Sequence, residues 1–382
     1  MSHRKVAILV DSANAYSRGM LKGISRYLFE NEHWDIIHEE RSPNSPVPPW
    51  LEHWRGDGII IRSMHLDLAR AAVKTGAQIV DLGLVQLPGL HTVIPDYEKD
   101  AQMALQHFRE RLFENFAFVA IRGKRYSEER LAAFSALLRG QLAVYELEQE
   151  DLAYCGFIPA LSEWLKTLPV QCGLFACYDM VGLQTIYACR QAHRKVPRDI
   201  AVLGANNDEI QCNISQVPLS SIQVNGYEIG YQAAKMLHAL MQGDSPPQEI
   251  RVPSLGICTR RSTAVVAVND SLVQNAYQQI HHHYSVGMTV ESLAEKLNVS
   301  SRTLQRRFQK SLGRTIHEEI IRSQLQIAVD LLSNTDFSLK TIARRAGFTS
   351  DSYFITVYKK FFHETPRRRQ KLASPEHVEN IS

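Results

Sequence analysis

Short apolar runs alternate with helix-length amphipathic stretches from the first residues to about residue 265. This alternation restricts the fold more than any other feature of the chain. The runs are KVAILV (5–10), GIIIR (58–62), QIVDLG (78–83), FAFVAIRG (116–123), LAVYEL (142–147), CGLFAC (172–177) and DIAVLGA (199–205). Helical patterns lie between them at 18–30, 98–113, 126–138, 159–168, 180–193 and 227–242. Strand followed by helix, repeated, predicts an α/β fold with parallel sheets covered on both faces. Seven runs in about 260 residues suit two doubly wound lobes better than one.

In such sheets ligands bind beyond the carboxyl ends of the strands, and polar residues collect there. Asp11, Ser12, Asn14, Tyr16, Ser17 and Arg18 follow the first run; Asp96 follows HTVIP. Arg130 comes after AIRG, Tyr178 and Asp179 after LFAC, and Asn206, Asn207 and Asp208 after AVLG. Carboxylates, amides and an arginine bridge adjacent hydroxyls, and an aromatic ring covers the C–H side of a sugar, so the mixture suits a neutral polyhydroxy ligand. Each of these residues, taken singly, is equally explained as a helix N-cap.

The last third reads differently. TVESLAEKLNVSSRTLQRRFQKSLGRT (289–315) and SLKTIARRAGFTSDSYFITVYKKFFHET (338–365) repeat with an offset of about 50 residues, the second with one extra residue early in its second helix. In the first, Val290, Leu293, Ala294 and Leu297 form an apolar stripe. A turn at 298–300 follows, then a helix that buries Leu304, Phe308 and Leu312 and presents Arg302, Gln305, Arg306 and Gln309. In the second copy Ile342, Ala343 and Ala346 make the stripe and Gly347 the turn. Phe354, Val357, Tyr358 and Phe361 are expected inward, with Ser352, Thr356, Lys359 and Lys360 outward. One helix braces and the next presents polar groups, which is helix-turn-helix geometry for a major groove. Arg and Gln suit guanine and adenine edges; Lys310, Lys359, Lys360 and Arg367–Arg369 are read as phosphate contacts. Charge agrees: residues 269–382 hold 16 Lys/Arg against 11 Asp/Glu, whereas residues 1–268 hold 27 against 29.

Both parts resemble known families. CYDMVGLQTIYACRQAHRKVPRDIAVLGANND, RLAAF (130–134), PLSSIQVNGYEIGYQAAKMLHALMQG (218–243) and RVPSLGICTRRST (251–263) are similar to the effector domain of the lactose/galactose repressors. That resemblance implies a periplasmic-binding-protein-like pocket at Asn14, Tyr16, Ser17, Asp96, Arg130, Tyr178, Asp179 and Asn206. Tyr178 stands where those repressors often carry Asn, and their N-terminal DNA-reading segment has no counterpart here. The repeated segment resembles the arabinose-regulator (AraC/XylS) class, which implies DNA contacts at Ser301, Arg302, Gln305, Arg306, Ser352, Thr356, Lys359 and Lys360. Thr356 replaces a frequent arginine of that class, and the usual ending reads Thr365-Pro366-Arg367-Arg368-Arg369-Gln370.

The order of the two parts, with ANAYSRG (13–19), HWDIIHEE (33–40) and WRGDGIII (54–61), is similar to that of the xylose-responsive activators. The resemblance implies D-xylose as effector, directly repeated operator sites, a homodimer and contact with RNA polymerase. Another pentose or hexose, and partial repression, remain open. The expected organisation is a two-lobed sensor at 1–266, a linker at 267–274, two helix-turn-helix units at 275–372 and a tail at 373–382.

Other classes find little support. MSHRKVAILVDS runs straight into a strand pattern with no export signal, and no apolar run approaches the roughly 20 residues of a membrane span, so we expect a cytoplasmic chain. The six cysteines (Cys155, Cys172, Cys177, Cys189, Cys212, Cys258) lack C-x-x-C spacing and read as reduced thiols. His281–His283 are consecutive, point about 100° apart on a helix and cannot converge on one ion. No cofactor or metal is expected. A glycosidase pair among the aspartates is not fixed by any spacing, no catalytic motif is present, and a secreted sugar-binding protein would leave the last third unexplained.

Overall fold

The structure is a computed structural model of the 382-residue chain. It describes residues 4–31, 34–39, 41–42, 45–63, 66–83, 87, 89–148, 156–268, 270–282 and 288–373. Cys155, His283, Asn269 and residues 374–382 lie outside the described residues.

The first lobe begins with β1 (Lys5–Leu9), α1 (Ala15–Asn31), β2 (Asp35–His38), β3 (Gly58–Ile61), α2 (Leu66–Lys74), β4 (Gln78–Asp81) and β5 (His91–Pro95). The chain then crosses to a second lobe of α3 (Tyr97–Arg109), β6 (Asn115–Ile121), α4 (Arg125–Leu137), β7 (Ala143–Leu147) and α5 (Ile158–Thr167), followed by β8 (Cys172–Ala176), α6 (Asp179–Gln191), β9 (Ile200–Ala205), α7 (Glu209–Ile214) and β10 (Ser220–Gln223). It returns to the first lobe for α8 (Gly226–Gln242) and β11 (Glu249–Val252), and crosses a third time to β12 (Gly256–Cys258). The first sheet has the order β11-β5-β4-β3-β1-β2 and the second β12-β10-β9-β8-β6-β7. All pairings are parallel except β10 with β12. Burial on both faces explains why β3, β8 and β9 are apolar throughout rather than alternating.

Val6, Ile8 and Val10 on one face of β1 join the cluster under α1 and α8, and Ala7 and Leu9 on the other face join the cluster under α2. The return helix α8 is fixed by a close crossing with α1. A Cβ on Gly230 would lie 1.9 Å from the Met20 carbonyl oxygen, and one on Gly23 would lie 1.9 Å from that of Tyr227. Each helix thus spends a glycine to admit the other's backbone.

Among the described residues seven helices follow: α9 (Ser271–His282), α10 (Val290–Lys296), α11 (Ser301–Leu312), α12 (Ile316–Asn334), α13 (Leu339–Arg345), α14 (Asp351–Phe362) and α15 (Pro366–Ala373). α10–α11 and α13–α14 are the two repeated units. Their starts are capped alike by Thr289, Ser300, Ser338 and Ser350. Asn298 and Gly347 take positive φ at equivalent turns, 49 residues apart, while the caps Ser300 and Ser350 are 50 apart. The extra residue of the second unit therefore lies in the turn, not in the helix as its sequence suggested. Phe361 also departs from expectation. The core of α14 runs along 354, 358 and 362 at i, i+4, i+8, matching Leu304, Phe308 and Leu312 in α11; Phe361 is 43% exposed and stacks under Arg322. α12 feeds both cores, with Ile316 and Ile320 in the first and Leu325, Ala328, Val329 and Leu332 in the second. Val266 already packs with the first of these cores.

The α1–α8 crossing yields a prediction. Gly230→Ala gains about 1 kcal/mol of helix propensity but forces two backbones apart, an overpacking cost of about 1–3 kcal/mol. Melting followed by circular dichroism should show an earlier first transition; an unchanged or later one would mean the helices separate freely.

Candidate functional site

The carboxyl ends of both sheets face each other across a cavity of about 290 Å³. This is near the lower end of the roughly 300–1,000 Å³ of small-molecule sites. Its first-lobe wall comes from Ala13, Asn14, Tyr16, Arg62, Leu82 and Pro95; its second-lobe wall includes Tyr97, Tyr126, Arg130, Tyr178, Asp179, Asn206 and Asp208.

Each lobe contributes one arginine held from behind by a carboxylate and faced by a tyrosine. Arg62 pairs with Asp11, donates to Ser17 Oγ at 2.9 Å and lies 5.4 Å from the Tyr16 ring centre. Its Nε finds no acceptor among the described residues. Arg130, 1% exposed, donates from Nε (3.1 Å) and Nη2 (3.0 Å) to Asp100 Oδ2 and from Nη1 to the Cys177 carbonyl (2.7 Å). It lies 5.1 Å from the Tyr97 ring centre. Desolvated pairs of this kind are costly to break, and removing one partner typically costs about 3–5 kcal/mol. The guanidinium planes are therefore fixed before any ligand arrives.

Asp179 and Asp208 supply acceptors. Asp179 takes the Ser221 hydroxyl and the Asp208 amide (2.9 Å). Burial raises its pKa to about 7 against these two donors. Asp208 caps α7 through the Gln211 amide at 3.2 Å, and its other oxygen accepts the Ala15 amide of the opposite lobe at 2.9 Å. Asn206 and Asn207 both hold positive φ, 103° and 53°. Backbone strain of this sort gathers at ligand sites.

Of the residues singled out in the sequence, Asn14, Tyr16, Arg130, Tyr178, Asp179 and Asn206 line the cavity. Ser17 stands behind it as the acceptor for Arg62. Asp96 is outside the lining; it caps α3 through the Lys99 amide at 3.1 Å and pairs with the Lys99 ammonium. The sequence reading passed over Arg62, Tyr97 and Tyr126. Arg62 carried a signal, a charged residue closing the apolar run GIIIR at a strand's carboxyl end. Tyr97 and Tyr126 open helices and carried none.

In the helical part, Arg302, Gln305 and Arg306 are exposed on α11, with Ser301 half-buried at its first turn. Arg307 points elsewhere, in a two-pronged pair with Asp270 (2.7 and 2.6 Å). On α14 Ser352, Thr356, Lys359 and Lys360 are exposed, and the Thr356 hydroxyl donates to the Ser352 carbonyl at 3.0 Å. One expected phosphate contact is corrected. Arg367 and Arg368 are exposed, but Arg369 is 8% exposed and donates to the Leu255 carbonyl of the sensor at 2.6 Å. It is the residue of the run that the α15 phase turns inward. His281 Nε2 pairs with Glu319 at 2.7 Å. Burial acts to raise the Glu319 pKa, but His281 and Arg314 outweigh it and hold the carboxyl at about 2. Among the described residues no helix is long and apolar enough to cross a membrane.

Comparison with known proteins bears on both parts. Residues 105–263 match the periplasmic binding protein-like domain family and residues 293–371 the helix-turn-helix domain family. The xylose operon regulatory protein of Escherichia coli (strain K12) is 30% identical over 392 residues, covering 97% of each chain. That of Haemophilus influenzae (strain ATCC 51907 / DSM 11121 / KW20 / Rd) is 28% identical, covering 95% of this chain and 97% of its own. The solved structure of a xylose-binding transcription activator superposes with a TM-score of 0.64 at 30% identity, covering 98% of this chain and 99% of its own.

The contrast between neighbouring arginines is measurable. Arg368→Ala should flatten the salt dependence of DNA binding by about one unit in log–log slope. Arg369→Ala should leave that slope as it is; an equal loss in both would return Arg369 to the phosphate contacts.

Proposed function

This chain belongs to the family of xylose operon regulatory proteins, sugar-responsive transcription activators, and on that premise we propose that D-xylose, bound between the lobes, is its effector. The observation that carries the reading is the charge balance of the cavity. Its two arginines are matched by Asp11 and Asp100 behind them, with Asp179 and Asp208 added at the wall. An anionic ligand such as a sugar phosphate would meet excess negative charge, whereas a neutral polyol meets fixed donors, fixed acceptors and tyrosine faces. Asn14, Tyr16, Arg130, Tyr178, Asp179 and Asn206 are the proposed ligand contacts, joined by Arg62 and Asp208; Ser17 acts through Arg62. Asp179 and Asp208 both receive amide or hydroxyl donors, which makes them placed acceptors rather than an acid/base pair.

The chain works in the cytoplasm as a homodimer. Sugar favours the closed lobes by its differential affinity for that state. Ser301, Arg302, Gln305 and Arg306 of α11 enter one major groove, and Ser352, Thr356, Lys359 and Lys360 of α14 the next, on directly repeated sites. The bound dimer then contacts RNA polymerase.

Calorimetry on the full chain tests the effector. Xylose should bind with a Kd about tenfold weaker at pH 6 than at pH 8, because the sugar hydroxyl needs Asp179 ionised and its ionised fraction falls tenfold as pH drops through about 7. Asp179→Asn should flatten that profile; heat with another sugar alone would replace xylose. On the DNA side, Arg306→Ala should cost about 1–3 kcal/mol and relax discrimination at one base pair. Equal loss on random DNA would make Arg306 a phosphate contact.

A further inference from the structure

The two sheets are joined by three crossings, and the third is unlike the others in what touches it. It leaves β11 at Val252 and enters β12 at Gly256 through Pro253, Ser254 and Leu255. On one side the Ser254 hydroxyl donates to Asp100 Oδ1 at 2.6 Å, and Asp100 Oδ2 carries Arg130 of the cavity wall. On the other side the Leu255 carbonyl accepts Arg369 of α15 at 2.6 Å and the Ile257 carbonyl accepts Gln326 of α12 at 2.5 Å. Arg260, just beyond, lies 3.7 Å from Asp330 of α12. Polar contacts therefore lead from the cavity wall to the crossing, and from the crossing and β12 on to α15 and α12.

Further ties between sensor and helices run to the end of α3. Arg314 donates to the Glu110 carbonyl at 3.4 Å, Arg322 lies 3.9 Å from the Glu110 carboxylate, and the Ala267 amide donates to the Arg111 carbonyl at 2.8 Å. Glu110 and Arg111 lie at the end of α3 in the second lobe, away from the crossing. The crossing, by contrast, joins the two lobes directly. β11, its first-lobe end, meets α4 of the second lobe through Arg125–Glu249 (2.5 Å) and Arg251–Glu129 (3.0 Å). The Leu255 amide is held by the Gln223 carbonyl at 2.8 Å, and Gly256 follows at φ 138°, a conformation that favours glycine. Residues 253–255 thus link the first lobe to this anchored point, and Arg369 grips the Leu255 carbonyl there.

We propose that this third crossing transmits sugar binding to the DNA-reading helices, with Arg369 and Gln326 as the positioning residues that sense it. The proposal rests on the cavity being the sugar site. It assigns to Arg369 a role in coupling rather than in DNA affinity or sugar affinity.

The test uses the full chain and a DNA duplex selected from random sequence by the wild-type protein. Xylose should change wild-type DNA affinity by a factor within the roughly 5–150-fold range of allosteric couplings. In Arg369→Met/Gln326→Met the xylose Kd should stay within about twofold of wild type while the sugar-induced change in DNA affinity falls below about twofold. Arg369→Lys, which keeps a donor, should restore part of it. A double variant with the wild-type ratio overturns the proposal. Should the double variant fail to fold, Ser254→Ala at saturating xylose is read the same way. If the wild type gives no xylose heat, the effector reading fails separately, and amide exchange in sugar-free protein then decides the coupling. DNA should slow exchange across residues 253–258 in wild type and not in Arg369→Met; identical behaviour in both overturns it.

Discussion

Three passages of backbone between two sheets set what this molecule can do. Because both sheets turn their carboxyl ends toward the gap, the residues that follow β1, β3, β8 and β9 meet there. They come from sequence positions nearly 200 apart, and no local interaction would gather them. Polar contacts also bridge the lobes beside the crossings. Asp208 with the Ala15 amide and Arg125 with Glu249 are such contacts, each spanning the gap. Both are largely buried, with Asp208 7% and Arg125 8% exposed.

The alternation of apolar runs made the sheets legible, and the duplicated amphipathic pattern made the helix-turn-helix pair legible. Both signals come from burial, which repeats along an element at a fixed period. What depends on a single residue's neighbours across the fold was less visible. Ser17 and Asp96 look as much like ligand contacts in sequence as Asn14 does, yet one supports Arg62 and the other caps α3. Short strands were less visible from their side chains alone. β10 reads SSIQ and β12 only GIC, and they are strands because neighbouring backbone offers the pairing, not because their side chains demand it.

Arginine was the least readable residue type. Arg62, Arg130, Arg307 and Arg369 carry the same charge and reach, but one completes a cavity wall, one forms a buried pair, one braces α9 and one grips the sensor. Only the carboxylate or carbonyl that the fold brings within 3 Å separates these roles, and those acceptors lie 30 to 114 residues away in the chain. Helical phase offered a partial clue. Arg306 and Arg307 differ by about 100° around α11, enough to send one to solvent and the other to Asp270.

The two DNA-reading units share a design but not a surface. α11 shows two arginines and Gln305 outward, groups whose geometry matches base edges. α14 shows Ser352 and Thr356, short side chains, and the Thr356 hydroxyl is already committed to the backbone of its own helix. Its lysines suit phosphates. Burial compensates in the other direction. α14 carries the aromatic row Phe354, Tyr358 and Phe362, packed ring against ring, and α15 folds against α12 with Arg369 in the sensor. The unit less equipped to read bases is thus the one tied to the crossing between the lobes. On the coupling proposed above, a change at the crossing acts first on the placement of the second unit.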